Sequence, residues 1–489
     1  MKIVVFLIIT ILALCPVAYS ETIEDRVRKL EDALKKQEQI IQEQQTIIQK
    51  LSGQKEEKQP DIKQSTSVEL DEKEYPTVRD YRLDDRSKAL ALQSGFPITP
   101  YQITGKTSAS LLNPSISLVF DSIYYESSLS REELKHRSIP GYSSLHGEHH
   151  AHEGDHGGHD AHAGHSHGSI EKGFNLRSAE LTIFAPVDPY FNLYATIPFT
   201  EEGVEVEEAY FVTTGLPAGL QVKGGKFKSD FGRFNAFHPH AWDFVDAPLP
   251  YEAFLGDHGL MEKGVQITYL PDIPVYTLLG VEVLQGENEI LYGKEAKSGP
   301  HAYVGFAKMS VDFGEHNTIL CGVSVTGGKT KTESVGHETE FSGDSVLYGA
   351  ELTYKWKPSK DGSLILQSEY LLRHQTGDLE HIEESTIDSL KRTQDGLYLQ
   401  GLYQIGRWRI GARYDVLDIF KDEVKLAGEK EDFGNKPYRI TGSLEFNPTE
   451  FARLRLQYNH DKSARDGKEN NEVFLQLILG IGAHGAHTF

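Results

Sequence analysis

From about Ser115 to its end, the chain repeats one pattern: short runs in which apolar and polar positions alternate, separated by turn residues. Sixteen such runs can be marked: Ser115–Tyr125, Phe174–Ala185, Tyr190–Phe199, Val204–Thr213, Leu220–Lys228, Val265–Leu270, Val275–Gln285, Ala302–Phe313, Thr318–Thr326, Val346–Lys357, Ser363–His374, Gly396–Ile405, Arg407–Leu417, Tyr438–Phe446, Phe451–His460 and Glu472–Ile481. A period of two is the mark of a strand with one apolar face. Most runs approach the ~9–11 residues that a tilted strand needs to cross a bilayer. In Phe451–His460, Ala452, Leu454, Leu456 and Tyr458 share one face, and Arg453, Arg455, Gln457 and Asn459 the other. Arg407–Leu417 sets Trp408, Ile410, Ala412, Tyr414 and Val416 against Arg409, Arg413 and Asp415, and Val473, Leu475, Leu477, Leu479 and Ile481 make an apolar face in the last run. The pattern predicts an all-β fold, a 16-stranded antiparallel transmembrane β-barrel with apolar side chains outward and an aqueous interior.

The connections test this independently. Short links (186–189, 215–219, 271–274, 314–317, 358–362, Gly406 and 447–450) alternate with long polar stretches at 126–173, 229–264, 286–301, 327–345, 375–395, 418–437 and 461–471. Only 200–203 is short where a long loop is due. The alternation places the tight turns on one rim and the loops on the other, as in outer-membrane barrels.

Ahead of the barrel lie three further segments. Residues 1–20 read as a signal peptide, with Lys2, an apolar Ile3–Leu14 core and Ala18-Tyr19-Ser20 as a cleavage site. A lipoprotein signal on Leu12–Cys15 is the alternative, with Leu14 large where a small residue is expected. Residues 21–52 carry the seam Ile23, Val27, Leu30, Leu34, Gln37, Ile41, Gln44, Ile48, Leu51, whose steps alternate four and three, the period of an α-helical coiled coil. A short oligomerisation stalk is expected there, with a single amphipathic helix as the alternative. Residues 53–110 are a linker and pre-barrel segment, and the barrel occupies 111–489.

Composition changes the picture in two places. Mean hydropathy is −0.42 and no apolar run of spanning-helix length follows the leader, which excludes helical spans and leaves barrels untouched. The net charge of −22 argues against nucleic acid and for cations. Cys15 falls in the leader, so Cys321 has no partner for an internal disulfide.

One connection stands apart. Residues 224–264 read GGKFKSDFGRFNAFHPHAWDFVDAPLPYEAFLGDHGLMEKG, and Phe231, Phe234, Phe237, Trp242, Phe244, Tyr251 and Phe254 are wrong for a solvated loop. A connection so long and irregular is usually functional. With sixteen strands, a heptad segment after the leader and GKFKSDFG before a long aromatic loop, the chain resembles trimeric outer-membrane porins of the phosphate-selective (O/P) type. More narrowly, HPHAWDFVDAPL, LGDHGLMEKGVQITYLP, the His-rich insert and the closing HGAHTF resemble zinc-linked, His-rich porin-like proteins. The resemblance implies a homotrimer among outer-membrane lipids of a Gram-negative bacterium, and a loop 229–264 that folds inward and narrows the pore. This loop holds Asp230, Asp243, Asp246, Glu252, Asp257 and Glu262 where phosphate-selective porins guide anions with lysines. Opposite it, Arg409, Arg413, Arg439, Arg453 and Arg455 form a basic wall on three successive strands. The expectation is an acidic loop facing that wall across water. The alternative is that these arginines pair with lumen carboxylates such as Asp415 and Glu445.

Candidate metal ligands are concentrated at 146–168, where His146, His149, His150, His152, His156, His159, His162, His165 and His167 are interspersed with Glu148, Glu153, Asp155 and Asp160. Imidazole and carboxylate suit Zn²⁺, Cu²⁺ or Ni²⁺, and no spacing fixes one set of four, so many weak sites are expected outside the cell. His238 and His240 flank Pro239, so their rings can point the same way near Asp243, a second candidate station. No catalytic constellation is present, and the chain is read as a non-enzyme. The expected function is passive diffusion of small hydrophilic solutes or ions, linked to divalent metal uptake through the external His-rich loop. Anion or phosphate selectivity, and a structural or adhesive barrel, are the alternatives.

Overall fold

The computed structural model describes residues 114–135, 137–142, 170–333, 339–359, 361–382, 386–464 and 467–482. The leader, heptad segment, linker, histidine tract and closing HGAHTF lie outside them. Among the described residues, sixteen barrel strands of 6 to 20 residues run from Ser115–Ser127 to Asn470–Gly482, and each is antiparallel to its neighbours in sequence. The first strand pairs with the last, from Ser117 opposite Gly482 to Ser127 opposite Glu472, which closes the barrel. A three-residue strand, Glu429–Glu431, pairs with the top of Trp408–Leu426 and is not one of the sixteen.

The expected faces are observed along the middle of the strands, although Val416, expected outward, is buried. Leu454, Leu456 and Tyr458 are exposed on the outside, while Arg453, Arg455, Gln457 and Asn459 are buried within the barrel. Trp408, Ile410 and Tyr414 likewise point out, and Arg409, Arg413 and Asp415 point in. A surface of exposed Leu, Val, Ile, Phe and Tyr that circles the barrel is stable only against lipid. Aromatic side chains gather at the tight-turn rim: Tyr190, Phe313, Trp356, Trp408 and Phe451 are all exposed beside short turns, where an amphipathic ring suits the lipid–water boundary.

Two expectations need correction. The described residues of 327–345 and 375–395, and much of 418–437, are not irregular loops. The strands Asn317–Glu333 and Thr339–Trp356 continue as a ribbon up to the Glu333–Glu340 pair, and Gly362–His381, Thr386–Ile405 and Trp408–Leu426 extend likewise. Above the lipid the apolar side of the ladder turns inward. Phe341, Leu379, Leu390 and Val424 are buried together, while their neighbours Ser342, Glu380 and Lys391 are exposed. A strand signal sought on the outward face stops at the membrane boundary, but the backbone ladder does not. The second correction is that Val204–Glu207 lie outside the fourth strand, which is Glu208–Thr213. Regular alternation buries Glu208 and Tyr210 and exposes Ala209, and the irregular entry buries Glu207 as well.

A cation on the lipid face should therefore be costly where one in the lumen is native. Leu456→Arg, at the middle of its strand, is expected to destabilise folding into lipid vesicles by about 2–4 kcal/mol, measured by denaturant titration against the parent barrel.

Candidate pore constriction

The connection between Leu220–Lys228 and Met261–Tyr269 folds into the barrel. It contains 3₁₀ turns at Phe234–Ala236 and Pro239–Ala241 and a short helix, Leu249–Leu255. Phe231, Trp242, Phe244, Tyr251 and Phe254 are buried, as their composition predicts, while Phe234 and Phe237 are half-buried. The entry is anchored by Glu369 on the opposite wall, which accepts the backbone N–H groups of Arg233 and Phe234 and the Tyr251 hydroxyl. Gly232 sits here at φ +63°, and a Cβ would strike the Tyr251 hydroxyl and a Glu369 carboxylate oxygen. Glycine is thus required by conformation and by space.

The loop then lies along the arginine wall from Trp242 to Glu252. Asp246 accepts from Arg413 at 2.9 Å, Arg439 at 3.0 Å, and Gln457 and Asn459 at 2.7 Å each. Arg413 and Arg439 also donate to the Ala247 carbonyl, Arg177 to that of Val245, and Arg455 to that of Trp242. Asp243 pairs with Arg409 and accepts from Gln400, and Glu252 lies 3.0 Å from Arg439. The Arg413 guanidinium also lies over the Phe244 ring. The expected water gap between an acidic loop and a basic wall is therefore absent at these residues: the carboxylates touch the guanidiniums. Both expected kinds of partner are present, because Arg413 and Arg439 also pair with Asp415, and Arg409, Arg453 and Arg455 with Glu445. Arg409, Arg413, Arg439, Arg453 and Arg455 thus meet Asp243, Asp246, Glu252, Asp415 and Glu445, so much of the wall's charge is paired.

Two further predicted constriction residues make other contacts. Asp230 accepts from Gln266 and sits 3.6 Å from Lys223, away from the five arginines, and Asp257 is exposed. His238 and His240 have nearly parallel rings 6.0 Å apart, as their spacing suggests, set by a 3₁₀ turn. His238 contacts Glu207 at 2.9 Å and Glu208 at 2.7 Å, and His240 contacts Glu180 at 3.2 Å. Sequence reading did not find Glu180, Glu207, Glu208 or Glu369. The one local signal was the paired acids of EVEEAY at a strand entry.

Charge states in the loop follow from these neighbours. Burial works against the Asp246 carboxylate, but Arg413 and Arg439 outweigh it and hold its pKa well below the usual carboxylate range. Glu252 is pushed up to about 8 by burial, with Arg439 opposing and Asp246 and Asp257 reinforcing.

No family model matches the chain. An uncharacterised protein of Aquifex aeolicus (strain VF5) is 41% identical over 438 residues, which cover 85% of this chain and 87% of that one. Among solved structures, the outer membrane channel DcaP of Acinetobacter baumannii matches with a TM-score of 0.45 and 13% identity, over 77% of this chain and 99% of that one. The anion-selective porin from Comamonas acidovorans matches with a TM-score of 0.44 and 9% identity, over 76% and 99% respectively.

A nitroxide at Ala236→Cys in a Cys321→Ser background reports loop mobility. Asp246→Ala strips the loop's anion from the buried Arg413 and Arg439 and should weaken loop docking by about 3–5 kcal/mol, seen as a mobile spectral component that the parent lacks. The pH dependence runs the other way at Glu252. Its carboxyl titrates near 4.5 when solvated and near 8 when docked, so the docked loop binds the proton more tightly. Docking then weakens as pH rises from about 4.5 to about 8 and levels off above it. Glu252→Gln should abolish that rise in mobility.

Proposed function

The chain belongs to one family with the Aquifex aeolicus protein, and we propose that it is an outer-membrane channel for passive diffusion of small hydrophilic solutes or ions, linked to divalent metal uptake. The observation that carries this reading is the closed barrel with a lipid-facing exterior, a charged lumen and one connection folded across it. The lumen offers passing solutes charge and hydrogen bonds. The inward loop sets the free cross-section, and its packing against the wall makes that cross-section fixed.

The histidine tract 146–168 supplies the link to metal. It joins the first strand to the second, on the rim of long connections, and its imidazoles would raise the local concentration of Zn²⁺, Cu²⁺ or Ni²⁺ beside the pore. Those ions are cargo in this reading, not a resident cofactor. The heptad seam of Val27, Leu34, Ile41 and Ile48 supports a homotrimer, and the leader supports export to the outer membrane of a Gram-negative cell.

A second reading, anion selectivity, has one observation in its favour. Arg373 and Arg392 are buried in the lumen on adjacent strands, and the Nε atoms of both lack a hydrogen-bond partner among the described residues.

Planar-bilayer recording of the purified protein across a salt gradient tests both readings. Steady open-channel current with a mild cation preference, reduced by micromolar Zn²⁺, is expected. Deletion of 146–168 should leave the channel open and remove most of that zinc sensitivity. An anion-selective reversal potential would favour the second reading, and absence of current would leave a structural or adhesive barrel.

A further inference from the structure

Where the inward loop meets the wall, its two histidines converge with three glutamates from distant parts of the chain. Glu180 comes from the second strand, Gly173–Asp188, and Glu208 opens the fourth, Glu208–Thr213, with Glu207 just ahead of it. Glu180, Glu207, Glu208 and His240 are each more than nine-tenths buried, and the His238 side chain is 11% exposed. Their polar atoms are closely spaced. His238 Nδ1 lies 2.9 Å from Glu207 Oε2 and 3.7 Å from Glu180 Oε2, and His240 Nδ1 lies 3.2 Å from the same Glu180 oxygen. One ligand atom from each of Glu180, Glu207 and His238 lies within 4.8 Å of the other two.

We propose that this cluster is a divalent-metal site of the Zn²⁺ class, in which Glu180, Glu207, His238 and His240 are the ligands and Glu208 orients His238. Three observations carry the assignment. The first is spacing. With Zn–N and Zn–O bonds of about 2.0–2.2 Å, ligand atoms of one polyhedron stand about 3.0–3.5 Å apart, and the three distances above bracket that range.

The second observation is the outer carboxylate. Glu208 Oε2 lies 2.7 Å from His238 Nε2, the ring nitrogen opposite the ligating one, and the Lys228 backbone N–H holds the other Glu208 oxygen at 2.7 Å. A carboxylate behind a ligating histidine fixes the tautomer that leaves Nδ1 free for metal. The third is charge. Three buried carboxylates converge on two imidazoles, with Lys228 beside Glu208 as a further cation, so the cluster is rich in anionic donors for a divalent ion. Buried charge of that kind is ordinarily paired or bound to metal.

The ligands bridge the inward loop, the second strand and the entry to the fourth, so the ion would staple the loop at a point other than Asp246. It is a defined site with a fixed donor set, in contrast to the interchangeable imidazoles of the tract. Whether the barrel conducts does not affect it, because the test is binding.

The test uses the full chain with 146–168 deleted, so that the tract contributes no ligand, and Zn²⁺ as the probe. Equilibrium dialysis with elemental analysis should find one tightly held ion per chain. Glu207→Gln and His240→Asn should each abolish tight binding, and Glu208→Gln should weaken it about 10–100-fold. A readout that needs none of these ligand substitutions is the nitroxide at Ala236→Cys in the same deletion background, which Zn²⁺ should immobilise further. Two results would overturn the site: no tightly held zinc in the deletion variant, or zinc retained undiminished when His238 and His240 are both replaced. Failure to immobilise the label would overturn the staple.

Discussion

The loop's position inside the barrel depends on Asp246. A single carboxylate receives two guanidiniums and two side-chain amides from three consecutive strands, Trp408–Leu426, Tyr438–Thr449 and Ala452–Asp461. The dependence is mutual. Arg413 and Arg439 are buried, and without a loop anion only Asp415 among their ion-pair partners would stand against both. Buried charges are costly unless paired and hydrogen-bonded, so wall and loop stabilise each other. The backbone carbonyls of Trp242, Val245 and Ala247 extend the same arrangement. With the aromatics of the loop packed beside it, this segment is held by electrostatics on one side and burial on the other.

The barrel surfaces obey two different solvents. Lipid demands apolar side chains on the outer belt, and the lumen accepts Arg, Glu, Gln and Asn in their place. Above the belt, the extended ribbons are bathed in water on the outside and enclose one another within. Their apolar residues Phe341, Leu379, Leu390 and Val424 therefore sit on the side that carries polar groups lower down. The same strands thus switch hydrophobic faces along their length, and the switch marks the membrane boundary.

That switch explains what was legible in the chain beforehand. Leu454, Leu456 and Tyr458 announced their strand because one solvent dictates one period, and repetition over sixteen segments made the count secure. The aromatic loop was legible as buried because its composition has no other use. The ribbons were not, since their polar outer face matches what a loop would show. Contacts within the site were hidden for a different reason. Nothing near Asp246 tells that Gln457 and Asn459 lie within hydrogen-bonding distance, because closing the barrel brings them there from some two hundred residues away. Glu180 and His238 are likewise joined only by folding. Glu207 faces inward because the strand entry departs from regular alternation, a backbone irregularity that residue patterns do not encode.

Closure by the first and last strands has a consequence for assembly. Ser117 lies opposite Gly482, so the final seam joins segments separated by nearly the whole barrel. Until the last strand is present and paired, the sheet has two open edges, each a row of unsatisfied backbone groups able to pair with any other strand. Long-range pairing of this kind is slow because loop closure precedes its reward. The chain must therefore be shielded from its own kind while it waits. Truncation anywhere within the barrel would leave an adhesive sheet instead of a narrower pore.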